Sequence, residues 1–323
     1  MIKVDHLYKS YGEIQAVKDL SFEIDEGHVY GFLGPNGAGK STTMNIIAGC
    51  LSASSGHVSI GGFDIFDAPL QAKKLIGYLP EHPPLYVNET AEEYLGFVAQ
   101  AKGIKGSDAV EQIEKVKSLT GISEVSNRLI SQLSKGYKQR VGIAQALLGD
   151  PKVIILDEPT VGLDPVQIIE IRSLISDLGK DHTVIFSSHI LSEVQAICDK
   201  VIIISKGRLT AFTDTDKINL LQSGTHCNVS VTVKSQAECI GAVIAKLSEE
   251  VSDWGWTPDG DGYMRVNIES NASDVREFCS KVFTAFAKAD IPLCELTSRS
   301  ADLEDVFLEL VEETGGTEDD SSI

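Results

Sequence analysis

The stretch GPNGAGKS, residues 34–41, decides how the rest of the chain is read. It fits G-x-x-x-x-G-K-[ST] at every fixed position, and that pattern carries weight only between a strand and a helix. Both are present in outline. VYGFLG, starting at Val29, is a buried-type apolar run, and residues 41–50 have helical spacing. Glycines let N–H groups turn toward phosphate oxygens with no Cβ in the way. Lys40 then reaches the β- and γ-phosphates, and the Ser41 hydroxyl ligates Mg²⁺. The helix N-terminus adds partial positive charge. The stretch predicts a site for a nucleoside triphosphate with Mg²⁺.

Upstream, residues 2–7 (IKVDHL) and 16–24 (AVKDLSFEI) alternate apolar and polar, as strands with one wet face do. Downstream, residues 90–150 read as mostly helical. Three short apolar runs follow: VIILD from Val153, TVIFSS from Thr183 and KVIIIS from Lys200. Helical segments near 165–179 and 190–198 separate them. Apolar strands alternating with helices imply a parallel sheet covered on both faces. From about residue 226 the texture changes to strand, helix, strand, turn, strand, helix, strand, then the helical LEDVFLEL. That order predicts a ferredoxin-like α+β sandwich. The boundary falls near 215–225, and the acidic tail GGTEDDSSI is expected to be disordered.

Composition narrows the function. A formal net charge of -19 argues against a broad nucleic-acid surface. No apolar run reaches the roughly 18 residues that span a bilayer. The N-terminal MIKVDHLYKSYG lacks the layout of a signal peptide. The chain is expected in the cytosol, without direct membrane insertion, unless a partner holds it at a membrane. The six cysteines form no CxxC pair, so they are expected to be small buried hydrophobes and not zinc ligands. PDGDG, residues 258–262, lacks the acidic positions of a calcium loop and reads as a hairpin turn. Trp254 and Trp256, two apart, share one strand face.

VIILDEP, residues 153–159, is the second chemical element. An apolar strand ending in two carboxylates sets Asp157 near Mg²⁺ through its water shell, and Glu158 can polarise the attacking water as a general base. His189 closes TVIFSS at a strand's C-terminal end, where α/β folds bind ligands. As a neutral donor it could hold the γ-phosphate or the water. LSKGYKQR, residues 133–140, lies between the phosphate loop and the carboxylates.

GPNGAGKS, LSKGYKQR, ILDEP, VGLD and SSH occur in this order, and over roughly residues 1–215 the chain resembles the ATP-binding subunit of an ABC transporter. The fold this implies is an α/β P-loop NTPase of the ABC type over 1–220, with a helical subdomain at about 85–150. A C-terminal α+β accessory domain at 221–313 and the tail at 314–323 follow. The family pairs two ATPases head to tail around two ATP molecules, so a second ATPase subunit, here read as a second copy of this chain, is implied. Gly34, Pro35, Asn36, Gly37, Ala38, Gly39, Lys40, Ser41 and Thr42 match the Walker A loop. Asp157 matches the Walker B aspartate and Glu158 the catalytic glutamate. Tyr11 matches the aromatic that stacks on adenine; taken alone it is equally a core residue. Ser134 and Gly136 match the signature positions that meet the partner's γ-phosphate. Asp164 matches the aspartate of the loop crossing between monomers, and His189 the switch histidine.

Two departures stand out. Glu81, in IGYLPEHPPLY, sits where the family usually has a glutamine that ligates Mg²⁺; a carboxylate there could still ligate the metal, but it adds negative charge beside the triphosphate. The signature, usually LSGGQ, reads LSKGY here. Lys135 would add positive charge beside the partner's triphosphate, with Lys138 and Arg140 on the surface of the helix that follows. LPE, LSKG and LEDVFLEL together resemble the ABC-2 exporter-type subfamily, near the gliding-motility-type ATPases. This implies ATP hydrolysis that energises separate transmembrane permease subunits, at the cytoplasmic face of a bacterial membrane. The permease is expected on the helical insert near residues 78–100. The alternative is a non-transport ATPase acting on ribosomes or DNA, although such proteins usually carry two ATPase units or long coiled coils.

Overall fold

A computed structural model describes residues 1–215, 227–247, 250–270, 272 and 274–300. They fall into two compact units, one within Met1–Asp216 and one within Lys217–Glu309. The first opens on β1 (Ile2–Tyr11) and β2 (Ile14–Ile24), both longer than the sequence pattern suggested. These pair antiparallel around the turn at Gly12 and Glu13, and β1 also pairs with β4 (Ser55–Ile60), which carries the short β5 (Phe63–Asp64).

The second sheet positions the site. Its strands are β3 (Val29–Leu33), β6 (Ile76–Leu79), β7 (Val153–Leu156), β8 (Thr183–Ser188), β9 (Lys200–Ser205) and β10 (Arg208–Asp214). The order is β10-β9-β3-β8-β7-β6. Every residue of β3, β7 and β8 is buried, which explains their unbroken apolar runs. The first five strands in chain order lie parallel, as expected; β10 is antiparallel to β9. Its residues are half-buried or exposed, so it leaves no unbroken apolar run in the sequence. Lys206 and Gly207 have φ of 49° and 82°, the positive pair that closes a two-residue hairpin.

Parallel register fixes the chemistry. Leu33 pairs with Ser188, Leu156 with Phe186 and Leu79 with Leu156. The four strands therefore end together, and the segments carrying Gly34, Glu81, Asp157 with Glu158, and His189 leave from one edge. The helices α1 (Lys40–Ile47) and α2 (Pro69–Lys74) precede this edge's outer strand.

A helical segment follows: α3 (Ala91–Ala101), α4 (Ser107–Thr120) and α5 (Lys135–Leu147). Thr90 and Glu93 form a reciprocal capping box on α3, and Ser134 caps α5 by accepting from the Tyr137 N–H at 3.3 Å. Lys102 closes the other end of α5, donating to the carbonyls of Gln145, Ala146 and Leu148 at 3.1, 3.3 and 2.6 Å. Helix α5 lies close against β6, where a Cβ on Gly77 would sit 2.2 Å from the Ala146 carbonyl oxygen. Gly77→Ala is expected to destabilise the unit by about 1–3 kcal/mol, the usual penalty for overpacking. Gly96→Ala, where a Cβ meets nothing within 4 Å inside α3, should leave stability unchanged or higher. Thermal melting of the two variants reads the difference.

Arg140 corrects one expectation. It is not a free surface charge on α5. It donates to the Thr120 carbonyl at 2.9 Å, ending α4, and pairs with Glu170 at 2.6 Å on α6 (Pro165–Leu178). The remaining helix of the unit is α7 (Leu191–Ile197).

The second unit contains β11 (Cys227–Val233), α8 (Ala237–Ile244), β12 (Val251–Pro258), β13 (Met264–Ser270), α9 (Val275–Lys288) and β14 (Leu293–Ser300). Its sheet order β12-β13-β11-β14 is antiparallel throughout, the ferredoxin-like arrangement. Val229, Val231, Val266 and Ile268 pack with Ile240 and Ile244 of α8 and Phe278, Val282 and Phe286 of α9. PDGDG closes the β12–β13 hairpin, with the Tyr263 N–H donating to the Gly260 carbonyl at 2.8 Å. Trp254 pairs in register with Ile268 and Trp256 with Val266, so both share one face; Trp254 packs against the core, while Trp256 is exposed.

Among the described cysteines only Cys198 is buried; Cys50, Cys239 and Cys294 are exposed and Cys279 is intermediate. The buried-hydrophobe expectation therefore fails for the three exposed ones, while Cys279 packs against the second unit's core. The expected helix LEDVFLEL and the acidic tail lie outside the described residues. No helix among the described residues is long and apolar enough to cross a membrane.

Candidate nucleotide site

The phosphate loop leaves β3 and turns into α1 at Gly39, whose φ of 100° is left-handed. A Cβ there would also lie 2.5 Å from the Ala16 carbonyl oxygen, so glycine is required twice over. The next residue, Lys40, is 6% exposed. Its ammonium donates to the carbonyls of Gly34 at 2.8 Å and Pro35 at 3.3 Å and lies 3.2 Å from a Glu158 carboxylate oxygen. Here the structure couples two motifs that are more than a hundred residues apart in sequence.

Glu158 is itself buried and has φ of 46°, a left-handed conformation that a side chain other than glycine rarely adopts. Its second carboxylate oxygen is 3.0 Å from His189 Nδ1. Asn36, Gly37, Gly39, Lys40, Ser41 and Thr42 line a cavity of ≈ 530 Å³ together with Glu81, Glu158 and His189. That size suits a cofactor-sized ligand.

Asp157 lies behind the cavity wall, 1% exposed. Its Oδ1 accepts from Ser187 Oγ at 2.6 Å and from Ser41 Oγ at 3.2 Å. Burial pushes its pKa up; the two serine hydrogen bonds pull it down, and the charges of Glu158 and Glu81 push it further up. A carboxylate whose folded pKa is raised loses stability as pH rises through that range, and the penalty persists at neutral pH. Asp157→Asn keeps an acceptor for Ser187 and removes the charge. It is expected to raise Tm at pH 7 while abolishing hydrolysis. The Tm gain should shrink as pH falls into the carboxylate range, as melting curves across pH would read.

Besides Gly34, Pro35 and Ala38 of the loop and Asp157 behind the wall, five predicted residues do not line the cavity. Tyr11 is half exposed, with the Lys9 ammonium 5.3 Å above its ring. Asp164 caps α6, accepting from the Gln167 N–H at 2.9 Å. Ser134 caps α5. Gly136 lies under the Gln167 side chain, where a Cβ would come within 2.7 Å of its amide carbon. Lys135 reaches across VGLD, and a Cβ on Gly162 would lie 2.1 Å from its ammonium. The signature segment and the VGLD loop are thus packed on each other within one chain.

Sequence reading missed the residues that hold the two catalytic candidates. Ser187 donates to Asp157 and accepts from the Glu158 N–H at 2.8 Å. Ser188 and Thr160 both donate to the buried Glu193, at 2.9 and 2.8 Å. The available signal was a pair of hydroxyls ending an otherwise apolar strand.

A parallel sheet with a glycine-rich strand–loop–helix at its carboxyl edge, a buried loop lysine and a carboxylate pair at the end of a strand two places away defines a P-loop nucleotide-hydrolysing protein. Comparison narrows the class. The family model described as "ABC transporter" matches residues 17–161. The bacitracin transport ATP-binding protein BcrA of Bacillus licheniformis is 34% identical over 319 residues, covering 98% of either chain. The linearmycin resistance ATP-binding protein LnrL of Bacillus subtilis is 32% identical, covering 97% of this chain and 99% of that one. A solved ATP-binding subunit of an ABC transporter superposes with a TM-score of 0.62 at 31% identity, over 68% of this chain and 92% of that one. The ATP-binding cassette MJ0796, solved as a dimer in a post-hydrolysis state with ADP and Pi, gives a TM-score of 0.61 at 26% identity. It covers 67% of this chain and 99% of that one. The chain belongs to the ATP-binding subunits of ABC transporters, and its activity is ATP hydrolysis.

Proposed function

We propose that this chain works at the cytoplasmic face of a bacterial membrane, where ATP hydrolysis energises a separate exporter-type permease. The observation that carries the hydrolytic part is the convergence of Lys40, Glu158 and His189 on one cavity. Phosphate oxygens entering the loop compete for Lys40 with Glu158 and the two loop carbonyls. Glu158 then turns toward a water and accepts its proton as the oxygen attacks the γ-phosphorus, while the bond to the β-phosphate oxygen breaks and ADP leaves. His189 holds the Glu158 carboxylate in place from 3.0 Å.

Among the described residues no group of three or more His, Cys, Asp or Glu could hold a metal by itself. That suits Mg²⁺, which prefers a few protein oxygens together with substrate phosphates and water. The Ser41 hydroxyl and Asp157 carboxylate, already within hydrogen-bond reach, would hold it, with Glu81 at the cavity edge. Bound there, it would neutralise phosphate charge.

Ser134, Lys135, Gly136 and Asp164 lie outside the cavity, which supports their use in a second copy's site. The residues after about 220 form an accessory domain in this reading. For the permease, Tyr86, Val87 and Phe97 are each about half exposed, and the Tyr86 ring packs against Tyr94 and Phe97 at 5.6 and 5.1 Å. An apolar aromatic patch of this kind fits a docking helix. The relatives' names, bacitracin transport and linearmycin resistance, support export. Purification of the tagged chain from detergent-solubilised membranes tests the reading. A stoichiometric multi-span partner that changes its ATPase rate is expected; ribosomes or DNA in its place would overturn it.

A further inference from the structure

We propose that Glu193 is a positioning residue for hydrolysis, setting Glu158 and His189 against each other through a buried carboxylate tie. The proposal rests on the reading of Glu158 as the base. Glu193 lies in the first turn of α7 and is 2% exposed. One of its oxygens accepts from both Thr160 Oγ1, at 2.8 Å, and Ser188 Oγ, at 2.9 Å. The other lies 3.5 Å from an Arg172 guanidinium nitrogen. Thr160 stands two residues after Glu158, and Ser188 immediately precedes His189. One carboxylate therefore grips both segments that carry the catalytic pair.

The tie is needed where it sits. The last paired residues of β7 and β8 are Leu156 and Phe186. Beyond them no backbone ladder holds the two ends at a fixed spacing. Ser187 links them on one side, through Asp157 and the Glu158 N–H. Glu193 links them on the other. Glu158 also occupies a left-handed conformation, which persists only where the surroundings over-determine it.

The chemistry of the tie calls for a charge. A buried carboxylate is tolerated when it is paired and hydrogen-bonded, and here it meets two hydroxyl donors and a guanidinium. Arg172 Nε is buried and finds no hydrogen-bond partner among the described residues, so Glu193 is the counter-charge seen for that side chain. A glutamine at 193 would present an NH2 group to one of these donors.

The experiment uses the full chain and compares Glu193→Gln, Glu193→Asp and Ser188→Ala with wild type. Glu193→Gln should lower kcat by roughly 10- to 100-fold, the scale of a small misplacement of reacting groups. KM for ATP should stay within about two-fold, since phosphate binding does not pass through the tie. Glu193→Asp, which keeps the charge, should recover part of the loss. Ser188→Ala removes one donor from a small side chain and should show a smaller loss of the same kind even if Glu193→Gln folds poorly. Adding Glu193→Gln to Glu158→Gln should cause no further loss.

Wild-type kcat in Ser188→Ala and Glu193→Gln would overturn the proposal. So would a kcat loss matched by an equal rise in KM, or one that multiplies with the loss from Glu158→Gln. If Glu158→Gln alone kept wild-type turnover, the base reading itself would fall and the proposal with it. An inactive Glu158→Gln beside a wild-type Glu193→Gln would remove the proposal alone.

Discussion

A Glu158→Gln variant is expected to bind ATP and turn it over about 10²- to 10⁴-fold more slowly, the range that a positioned general base contributes. The substitution keeps the shape of the side chain. Its amide oxygen can still meet His189, now 3.0 Å from the carboxylate. What it loses is a group that can accept the water's proton. It also removes a negative charge 3.2 Å from Lys40, inside a wall where screening by water is weak. Lys40 is then freer for phosphate, so ATP affinity should hold or rise. Equilibrium ATP binding and single-turnover hydrolysis separate the two quantities. Wild-type turnover would remove Glu158 as the base.

Lys40→Met should act on the other quantity. The methionine fills most of the volume but removes the ammonium, its bonds to the Gly34 and Pro35 carbonyls and its pairing with Glu158. Truncating one member of a buried, hydrogen-bonded charge contact typically costs about 2–5 kcal/mol, or roughly thirty- to several-thousand-fold in Kd. ATP binding should weaken by that amount. Glu158 is left buried without its partner, so Tm should fall as well. Lys40→Arg should not restore affinity, because a planar fork does not fit where a compact point charge sits among backbone carbonyls. Calorimetric titration with ATP checks both variants, and unchanged affinity in Lys40→Met would contradict the phosphate assignment.

Much of the sheet could be read from residues alone, because β3, β7 and β8 are buried on both faces and leave unbroken apolar runs. The strand β10 could not. It is an edge with half-buried residues, and its signal lay in the Lys206-Gly207 turn. The site divides in the same way. Gly39, Lys40 and Ser41 answer to a spacing rule, since the backbone must turn there whatever surrounds it. The contact between Lys40 and Glu158 depends on strand order, which no local pattern states. Glu193 and Thr160 carry no motif, and SSH gives Ser188 no role of its own; the tie is visible only once α7 is packed beside the strand ends. Arg140 read as a surface charge because helix periodicity does not reveal that α4 ends against it or that Glu170, midway along α6, pairs with it.

The placement of Ser134, Lys135, Gly136 and Asp164 outside the ATP cavity makes the central claim one about two chains. Mixing two inactive variants tests it. Lys40→Met holds ATP far more weakly but keeps its signature segment; Ser134→Arg keeps its phosphate loop but blocks the signature. If each site is completed by the other chain, a mixed pair contains one intact site, with the Ser134→Arg chain's ATP facing the Lys40→Met chain's signature. Each variant alone should be inactive, and the mixture should recover part of the wild-type ATPase rate. A mixture as inactive as its components would mean that the signature serves the same chain's ATP, and the two-chain account would be wrong.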